Sequence, residues 1–343
     1  MKRYLVIMGE YAGHGRGVNG RTFYRFLQTY AGRRAVACCT PRDLLGGGSY
    51  EAEYVFLALP SSVCDRHLAR LRFRHLVPFD LSDCHYPLWD DSNRDWLRSR
   101  CGLYLKAWTD EAWDFGIPMG LAPVRRYAKL RLELEADRIR RRLGFAGPPP
   151  RFDVLFLGAA TGRNPMGMDP ERVPNQRVTW LLELRERGRH LKVWGGLLAR
   201  TITPELVRRY GDLSDFTIQG KVPFRQYFRA LRSSGVALTP EGNAPWSYRH
   251  YEAIYARSMI VTCDMRRIHT LVPLPREGMV HVEPGQPVLP AIERALALRR
   301  ELPEILEENV RFLERWLERG MYTRRRPELF ERFLTQLPGA ARA

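Results

Sequence analysis

Short runs of apolar residues alternate with longer amphipathic stretches along both halves of this chain. Continuous apolar runs are typical of strands buried on both faces of a parallel sheet, and the amphipathic stretches are typical of the helices that cover it. The pattern therefore predicts an α/β protein with two doubly wound, Rossmann-like domains. The predicted strands are residues 3–8, 35–39, 54–58, 75–79 and 102–106 in the first half and 153–157, 190–194, 216–219, 236–239, 259–263 and 280–282 in the second.

A charged helix predicted over 124–143 is followed by Gly147-Pro148-Pro149-Pro150, after which a new strand begins. Glycine and consecutive prolines end helices, so this stretch predicts a domain boundary. We expect a first domain at 1–147, a second at 148–300, and helices at 301–343 that pack back on the first domain. A ligand is expected in an interdomain cleft, because clefts of this kind bury small molecules.

The chain is strongly basic: its 343 residues include 55 Lys and Arg against 38 Asp and Glu, which gives a formal net charge of +17. Such a charge attracts polyanions through their phosphates and predicts salt-dependent binding to nucleic acid. A preference for arginine in surface ion pairs would produce a similar composition without a polyanion partner. The composition alone leaves both interpretations open.

The sequence disfavours two further classes of protein. No apolar run reaches the roughly 18 residues that a membrane span needs, which predicts a cytoplasmic protein with no membrane partner. The six cysteines lack the spacing of a metal site, so we expect reduced, buried thiols and no metal.

The segment 240–252 places turn formers, a cation and carboxylates between two predicted buried strands. Ligands of open parallel sheets bind beyond the carboxyl ends of the strands, where this segment lies. A cation beside a helix N-terminus and a glycine backbone suits a phosphate, and a carboxylate suits the hydroxyls of a ribose. The segment therefore predicts a nucleotide site with the candidate residues Glu241, Gly242, Asn243, Ser247, Tyr248, Arg249 and Glu252.

A second glycine-containing turn follows the first strand of the second half. Gly158 lies in this turn, and Arg163 and Arg177 could reach a diphosphate from it. The alternative for Arg177 is a cation on the surface of a helix.

The turn after the first strand of the chain contains Gly13, His14, Gly15 and Arg16. Its glycines do not match the GxGxxG spacing of a dinucleotide site, which disfavours a nicotinamide cofactor. Glycines still allow a backbone to approach a ligand closely, so we expect a substrate-facing loop on the acceptor side. A merely flexible loop is the alternative.

Four acidic residues follow the fourth predicted strand within twelve positions, namely Asp80, Asp83, Asp90 and Asp91. A carboxylate at a strand end is well placed to remove a proton from a substrate in a cleft. Aspartate also caps turns, and this second role competes with the first for both Asp80 and Asp83.

These stretches together resemble glycosyltransferases of the GT-B fold, which have two Rossmann-like domains and bind a nucleotide-sugar in the cleft. Segment 240–252 with 259–262 is similar to the donor-site segment of exostosin-like transferases. Further similar stretches occur in the same order as in phage DNA β-glucosyltransferases, at 153–158, 175–177, 220–223 and 248–252.

The resemblance implies roles for four residues of this chain. Arg177 and Arg249 would hold the diphosphate, Glu252 would hold the ribose, and Asp83 would be the catalytic base. The resemblance also implies that no metal or other cofactor is required beyond the UDP-sugar donor. An insertion at 165–174 and the extended first loop depart from the family pattern, which leaves the sugar and the acceptor open.

The sequence therefore predicts a glycosyltransferase that moves a sugar from a UDP-sugar to a hydroxyl group. The expected acceptor is a 5-hydroxymethyl pyrimidine flipped out of duplex DNA, which fits the charge and the resemblance. A saccharide or glycoconjugate acceptor is the first alternative. A non-catalytic nucleic-acid-binding protein on a transferase fold is the second.

Overall fold

The chain divides into two compact units in a computed structural model. The first unit comprises Met1–Leu121, His269–Val272 and Arg325–Ala343, and the second comprises Ala122–Ile268 and Pro273–Arg324. The division near residue 121 places the charged helix predicted over 124–143 in the second unit, whereas the triple proline predicted a boundary at 147. The structure describes residues 2–8, 16–59, 61–81, 94–111, 116–119, 131–145, 149–160, 175–242, 244–316 and 327–339.

The first unit contains a parallel six-stranded sheet in the order β2-β1-β3-β4-β5-β7. Successive strands are added on one side of β1 and then on the other, so the switch point of the sheet lies between β1 and β3. The buried side chains of Leu5, Ile7, Val55 and Leu57 form its core. The strands of this sheet are β1 Lys2–Ile7, β2 Val36–Cys39, β3 Tyr50–Ala58, β4 Leu71–Asp80, β5 Tyr104–Lys106 and β7 Gly116–Pro118. Strands β6 Thr109–Asp110 and β13 Ile268–His269 pair in a separate two-stranded sheet.

Of the helices described in the first unit, four come from the N-terminal part of the chain and one from its C-terminal part. The C-terminal helix packs on the first N-terminal helix through Phe333, whose ring centroid lies 6.0 Å from that of Phe23 and 5.5 Å from that of Phe26. Part of the segment 301–343 thus belongs to the core of the first unit. The helices are α1 Arg16–Ala31, α2 Pro41–Leu45, α3 Asp65–Leu68, α4 Arg94–Arg100 and α12 Pro327–Leu334.

The second unit contains a parallel six-stranded sheet in the order β10-β9-β8-β11-β12-β14, with the switch point between β8 and β11. Its strands are β8 Phe152–Ala159, β9 Val193–Leu198, β10 Thr217–Ile218, β11 Ser234–Thr239, β12 Met259–Cys263 and β14 Met279–Val282. Its helices are α5 Arg131–Arg142, α6 Gln176–Arg187, α7 Pro204–Tyr210, α8 Phe224–Arg232, α9 Tyr248–Ala256, α10 Leu289–Glu301 and α11 Glu304–Trp316.

Strands β8 and β11 separate before they end. Their pairing runs to Leu155 opposite Ala237, whereas β8 stays paired with β9 as far as Ala159 opposite Leu198. Residues 156–159 of β8 therefore have a neighbouring strand on one side only. This opening lies at the switch point, where ligands of doubly wound sheets bind.

Strand β9 begins and ends later than the predicted 190–194. Gly195 and Gly196 follow the predicted strand, and glycine in general weakens strands. Here both glycines have positive φ, of 96° and 151°, and a Cβ atom on them would overlap the carbonyl oxygens of Phe156 and Phe216. The glycines are needed because the neighbouring backbone passes so close to β9.

The two parallel sheets confirm the predicted α/β class with two doubly wound, Rossmann-like units. The helix α3 before β4 is only four residues long, and Leu71 already begins the strand. Among the helices that the structure describes, none combines the length and apolarity that crossing a bilayer requires.

Candidate functional site

Two arginines lie at the opening between β8 and β11. Arg249 of α9 donates from Nη2 to the carbonyl oxygen of Leu157 at 2.8 Å, and Arg177 of α6 donates from Nη1 to that of Ala159 at 3.0 Å. Buried carbonyl groups require hydrogen-bond partners, and β11 does not pair with this part of β8. The guanidinium groups satisfy carbonyls that a continued strand pair would otherwise satisfy, which fixes both cations at the switch point.

Two glycines make room for these cations. A Cβ atom on Gly158 would lie 2.9 Å from Arg249 Nη2, and a Cβ atom on Gly242 would overlap the Arg177 guanidinium. The Arg249 guanidinium also stacks over the ring of Phe156, at 5.2 Å from the ring centroid. Close approach to a side chain therefore accounts for glycine at both positions.

The start of α6 is anchored to the end of β8 through Asn175. The Asn175 side chain accepts from the Arg177 amide at 3.1 Å as the N-cap and donates to the Ala160 carbonyl at 2.7 Å. The Ala160 amide in turn donates to Thr201 Oγ1 at 2.7 Å. These bonds hold the first turn of the helix, and with it the base of the Arg177 side chain, in one place.

The start of α9 is anchored to β12 through His250. The imidazole is fully buried, with Nε2 3.0 Å from Thr262 Oγ1 and Nδ1 2.9 Å from the Ser247 carbonyl oxygen. Burial lowers the pKa of His250 to about 4, with the Ser247 backbone acting in the opposite direction. A neutral histidine therefore bridges helix and strand. Beside it, Tyr248 packs edge-on against buried Trp246 at 5.0 Å and stays 37% exposed.

Two carboxylates accompany the arginines. Glu252 is buried, and the hydroxyl of Tyr227 on α8 donates to its Oε2 at 2.9 Å. The main-chain amide of Glu241 donates to Gln176 Oε1 at 2.9 Å. Burial raises the pKa of the Glu241 carboxyl to about 7, although Arg177 opposes the shift. Glu241 is therefore close to half-protonated near neutral pH.

The structure places most of the predicted nucleotide-binding residues around this one opening. They are Gly158, Arg177, Glu241, Gly242, Ser247, Tyr248, Arg249 and Glu252. Asn243, Arg163, Asp83, Gly13, His14 and Gly15 lie outside the described residues, and Arg16 begins α1 with a side chain that also lies outside them. The roles of all these residues remain predictions.

Sequence reasoning missed three residues that contact the site. They are Tyr227, His250 and Phe156, none of which was among the predicted site residues. The hydroxyl of Tyr227 is the available signal, because a buried phenol oxygen needs a polar partner.

Strands β4 and β5 of the first sheet end in a buried ion pair. Lys106 Nζ lies 2.7 Å from Asp80 Oδ2, and neither side chain is exposed. The Tyr104 hydroxyl donates to the same oxygen at 3.2 Å. The sequence offered Asp80 as a turn cap or an alternative base. Its pairing with Lys106 is a structural role that the sequence did not predict.

The described cysteines are free thiols, and Cys38 is exposed, which corrects the expectation that all are buried. Within the described part of the chain, no group of three or more histidine, cysteine or acidic side chains is arranged to hold a metal ion.

Comparisons with known proteins give weak structural likenesses only. Neither a protein-family model nor a curated protein sequence matches the chain. HepE from Anabaena in complex with UDP has a TM-score of 0.48 at 12% identity, covering 98% of this chain and 100% of the other. WaaG, a glycosyltransferase involved in lipopolysaccharide biosynthesis, has a TM-score of 0.43 at 11% identity, covering 98% and 99%.

A further similar structure is an alpha-glucosyltransferase in complex with UDP-glucose and DNA containing an abasic site. Its TM-score is 0.38 at 8% identity, with 91% of this chain and 95% of the other covered. The specific resemblance to DNA β-glucosyltransferases is not confirmed. At this level of similarity, none of these structures determines what this chain binds or catalyses.

Proposed function

We propose that this chain is a glycosyltransferase that binds a UDP-sugar at the carboxyl end of its second sheet. The observation that carries the proposal is the pair Arg177 and Arg249 at the opening between β8 and β11. Both side chains donate to main-chain carbonyls, which holds two cations at the switch point, where the diphosphate of a bound nucleotide would meet them. The N-terminus of α9 contributes the partial positive charge of a helix dipole.

The remaining parts of the donor have candidate partners in the same place. Buried Glu252 would accept hydrogen bonds from the ribose hydroxyls, and exposed Tyr248 offers a ring for stacking. During transfer the bond between the anomeric carbon and the diphosphate breaks and a bond to the acceptor oxygen forms. Arg177 and Arg249 would stabilise the negative charge that develops on the leaving UDP.

Calorimetric titration with UDP tests the donor site. Arg177→Ala and Arg249→Ala should each weaken binding about 10- to 100-fold, as expected for a charged hydrogen-bond partner. Arg187→Ala, which removes an exposed cation from the same helix as Arg177, is the matched control and should bind UDP like the wild type. Wild-type affinity in both site variants, with normal thermal denaturation, would refute the proposal.

Asp83 remains our proposed base for an inverting transfer, in which it accepts the proton of the attacking hydroxyl. Asp83→Asn should lower turnover on the order of 100-fold or more and leave UDP-sugar binding nearly unchanged. Unchanged turnover would move the role to Asp90 or indicate a retaining mechanism.

For the acceptor, we propose a 5-hydroxymethyl pyrimidine in duplex DNA. The net charge of +17 supports a polyanion partner. Binding to DNA is not a sufficient test, because basic proteins bind DNA without specificity. The test is sugar transfer to duplexes with and without the hydroxymethyl group, since the hydroxymethyl group alone offers the proposed nucleophile. Transfer to free saccharides and to neither duplex would establish a saccharide acceptor instead.

A further inference from the structure

Tyr227 holds one of the proposed donor-binding residues from a separate helix. Its hydroxyl donates to Glu252 Oε2 at 2.9 Å. Arg249 and Glu252 lie three residues apart on α9, whereas Tyr227 lies on α8. The phenol is thus a polar link between α8 and the carboxylate on α9.

The surroundings of Tyr227 keep this link in one protonation state. Burial raises the pKa of Tyr227 well above its usual value, and the negative charge of Glu252 raises it further, while Arg249 acts in the opposite direction. The hydroxyl therefore keeps its proton and donates it to Glu252 at any ordinary pH. Tyr227 is 6% exposed, so water does not readily compete for this bond.

A buried carboxylate held by a donor has fewer orientations than one that is not held. Removing the phenol removes a donor that restricts the Glu252 side chain, and restoring the same orientation when a ligand binds would cost conformational entropy. With the phenol, this oxygen of the carboxylate has its donor before the ligand arrives.

We infer that Tyr227 is a positioning residue that orients Glu252 for recognition of the ribose hydroxyls. The inference rests on the proposed function, because it assumes that Glu252 contacts the ribose of a UDP-sugar. It goes beyond it by assigning ribose selectivity to a residue on α8 that need not touch the ligand.

The test compares UDP with 2′,3′-dideoxyuridine diphosphate, which lacks both ribose hydroxyls. Tyr227→Phe removes only the phenol oxygen and should weaken UDP binding about 10-fold, in line with loss of a hydrogen bond to a charged group. Binding of the dideoxy nucleotide should be unchanged. Tyr255→Phe removes the hydroxyl of another buried tyrosine of the same unit and is the control. Adding Tyr227→Phe to Glu252→Gln should cause little further loss for UDP, because the phenol acts through Glu252.

The possible failures are distinguishable. An equal loss for both nucleotides in Tyr227→Phe would indicate a structural role and overturn the inference. UDP affinity equal to that of the wild type would overturn it as well. If the wild type binds both nucleotides equally, the ribose role of Glu252 fails and the inference fails with it. If the wild type does not bind UDP at all, the donor site itself is refuted.

Discussion

Charged side chains at the carboxyl ends of the two sheets have different kinds of hydrogen-bond partner. In the first sheet, Asp80 and Lys106 lie 2.7 Å apart and neutralise each other in full burial. In the second sheet, Arg177 and Arg249 bond to main-chain carbonyls, which carry no net charge. Beside these arginines, burial raises the pKa of the Glu241 carboxyl to about 7, so Glu241 adds negative charge mainly above that pH.

The difference separates a structural use of charge from a binding use. An ion pair buried within the sheet is costly to break and has little charge left to attract a ligand. Arginines held by backbone carbonyls keep a fixed position and can still attract an anion. Two parallel sheets of the same doubly wound type can thus carry a stabilising ion pair at the carboxyl end in one unit and a candidate anion site in the other.

The largest expected effect is on the ion pair of the first sheet. Lys106→Met leaves Asp80 buried without its cation and should lower the free energy of unfolding by about 3–5 kcal/mol. Urea denaturation measures this loss. Combining Lys106→Met with Asp80→Asn should restore much of the stability, because no buried charge then remains.

Arg100→Ala is the control for the ion pair, since its partner Asp65 at 2.9 Å is largely exposed. Exposed pairs contribute little, so this variant should unfold almost like the wild type. Where Lys106→Met still folds, its UDP affinity should be unchanged, because the donor site lies in the other unit. A stability loss no larger than that of Arg100→Ala would contradict the structural role of the pair.

The next largest effect concerns the space between Gly242 and Arg177 at the candidate site of the second sheet. A Cβ atom at Gly242 would overlap the Arg177 guanidinium, so Gly242→Ala should displace that cation. We expect UDP affinity to fall about 10-fold, as for loss of a charged hydrogen bond. Stability should also fall, by up to about 1–3 kcal/mol, because the displaced guanidinium no longer satisfies the Ala159 carbonyl.

Gly102→Ala provides the matched control for Gly242→Ala, since a Cβ atom there meets nothing within 4 Å. In an Arg177→Ala background, Gly242→Ala should cause no additional loss of affinity. A similar loss in both backgrounds would show that Gly242 does not act through Arg177.

The fold and much of the site follow from local patterns in the sequence. Apolar runs locate most strands, and Gly242, Arg249 and Glu252 lie in one contiguous segment whose turn formers are visible. Pairings between distant residues are not visible in this way. Asp80 and Lys106 are 26 positions apart, and Tyr227 and Glu252 are 25 apart, so only the packing of the elements brings them together.

The smallest expected effect follows from the proton on Glu241. Burial raises the pKa of this carboxyl to about 7, so its negative charge appears as the pH rises through that value. A bound diphosphate disfavours the charge further. The affinity for UDP-glucose should therefore fall by about 3- to 10-fold between pH 6 and pH 8.5. This lies within the limit for one coupled proton, which can change an affinity by at most about tenfold per pH unit.

Titration of UDP-glucose across this range measures the effect, because the phosphates of this ligand do not change protonation there. Glu241→Gln should bind with nearly constant affinity, since the amide does not ionise. The folded pKa lies above the ordinary value of 4.5, so the contribution of Glu241 to native stability is also lost as the pH rises from 4.5 to about 7. Thermal denaturation at each pH separates this loss from the change in affinity. An identical pH profile in the wild type and Glu241→Gln would show that Glu241 does not adjust the charge of the second sheet's site.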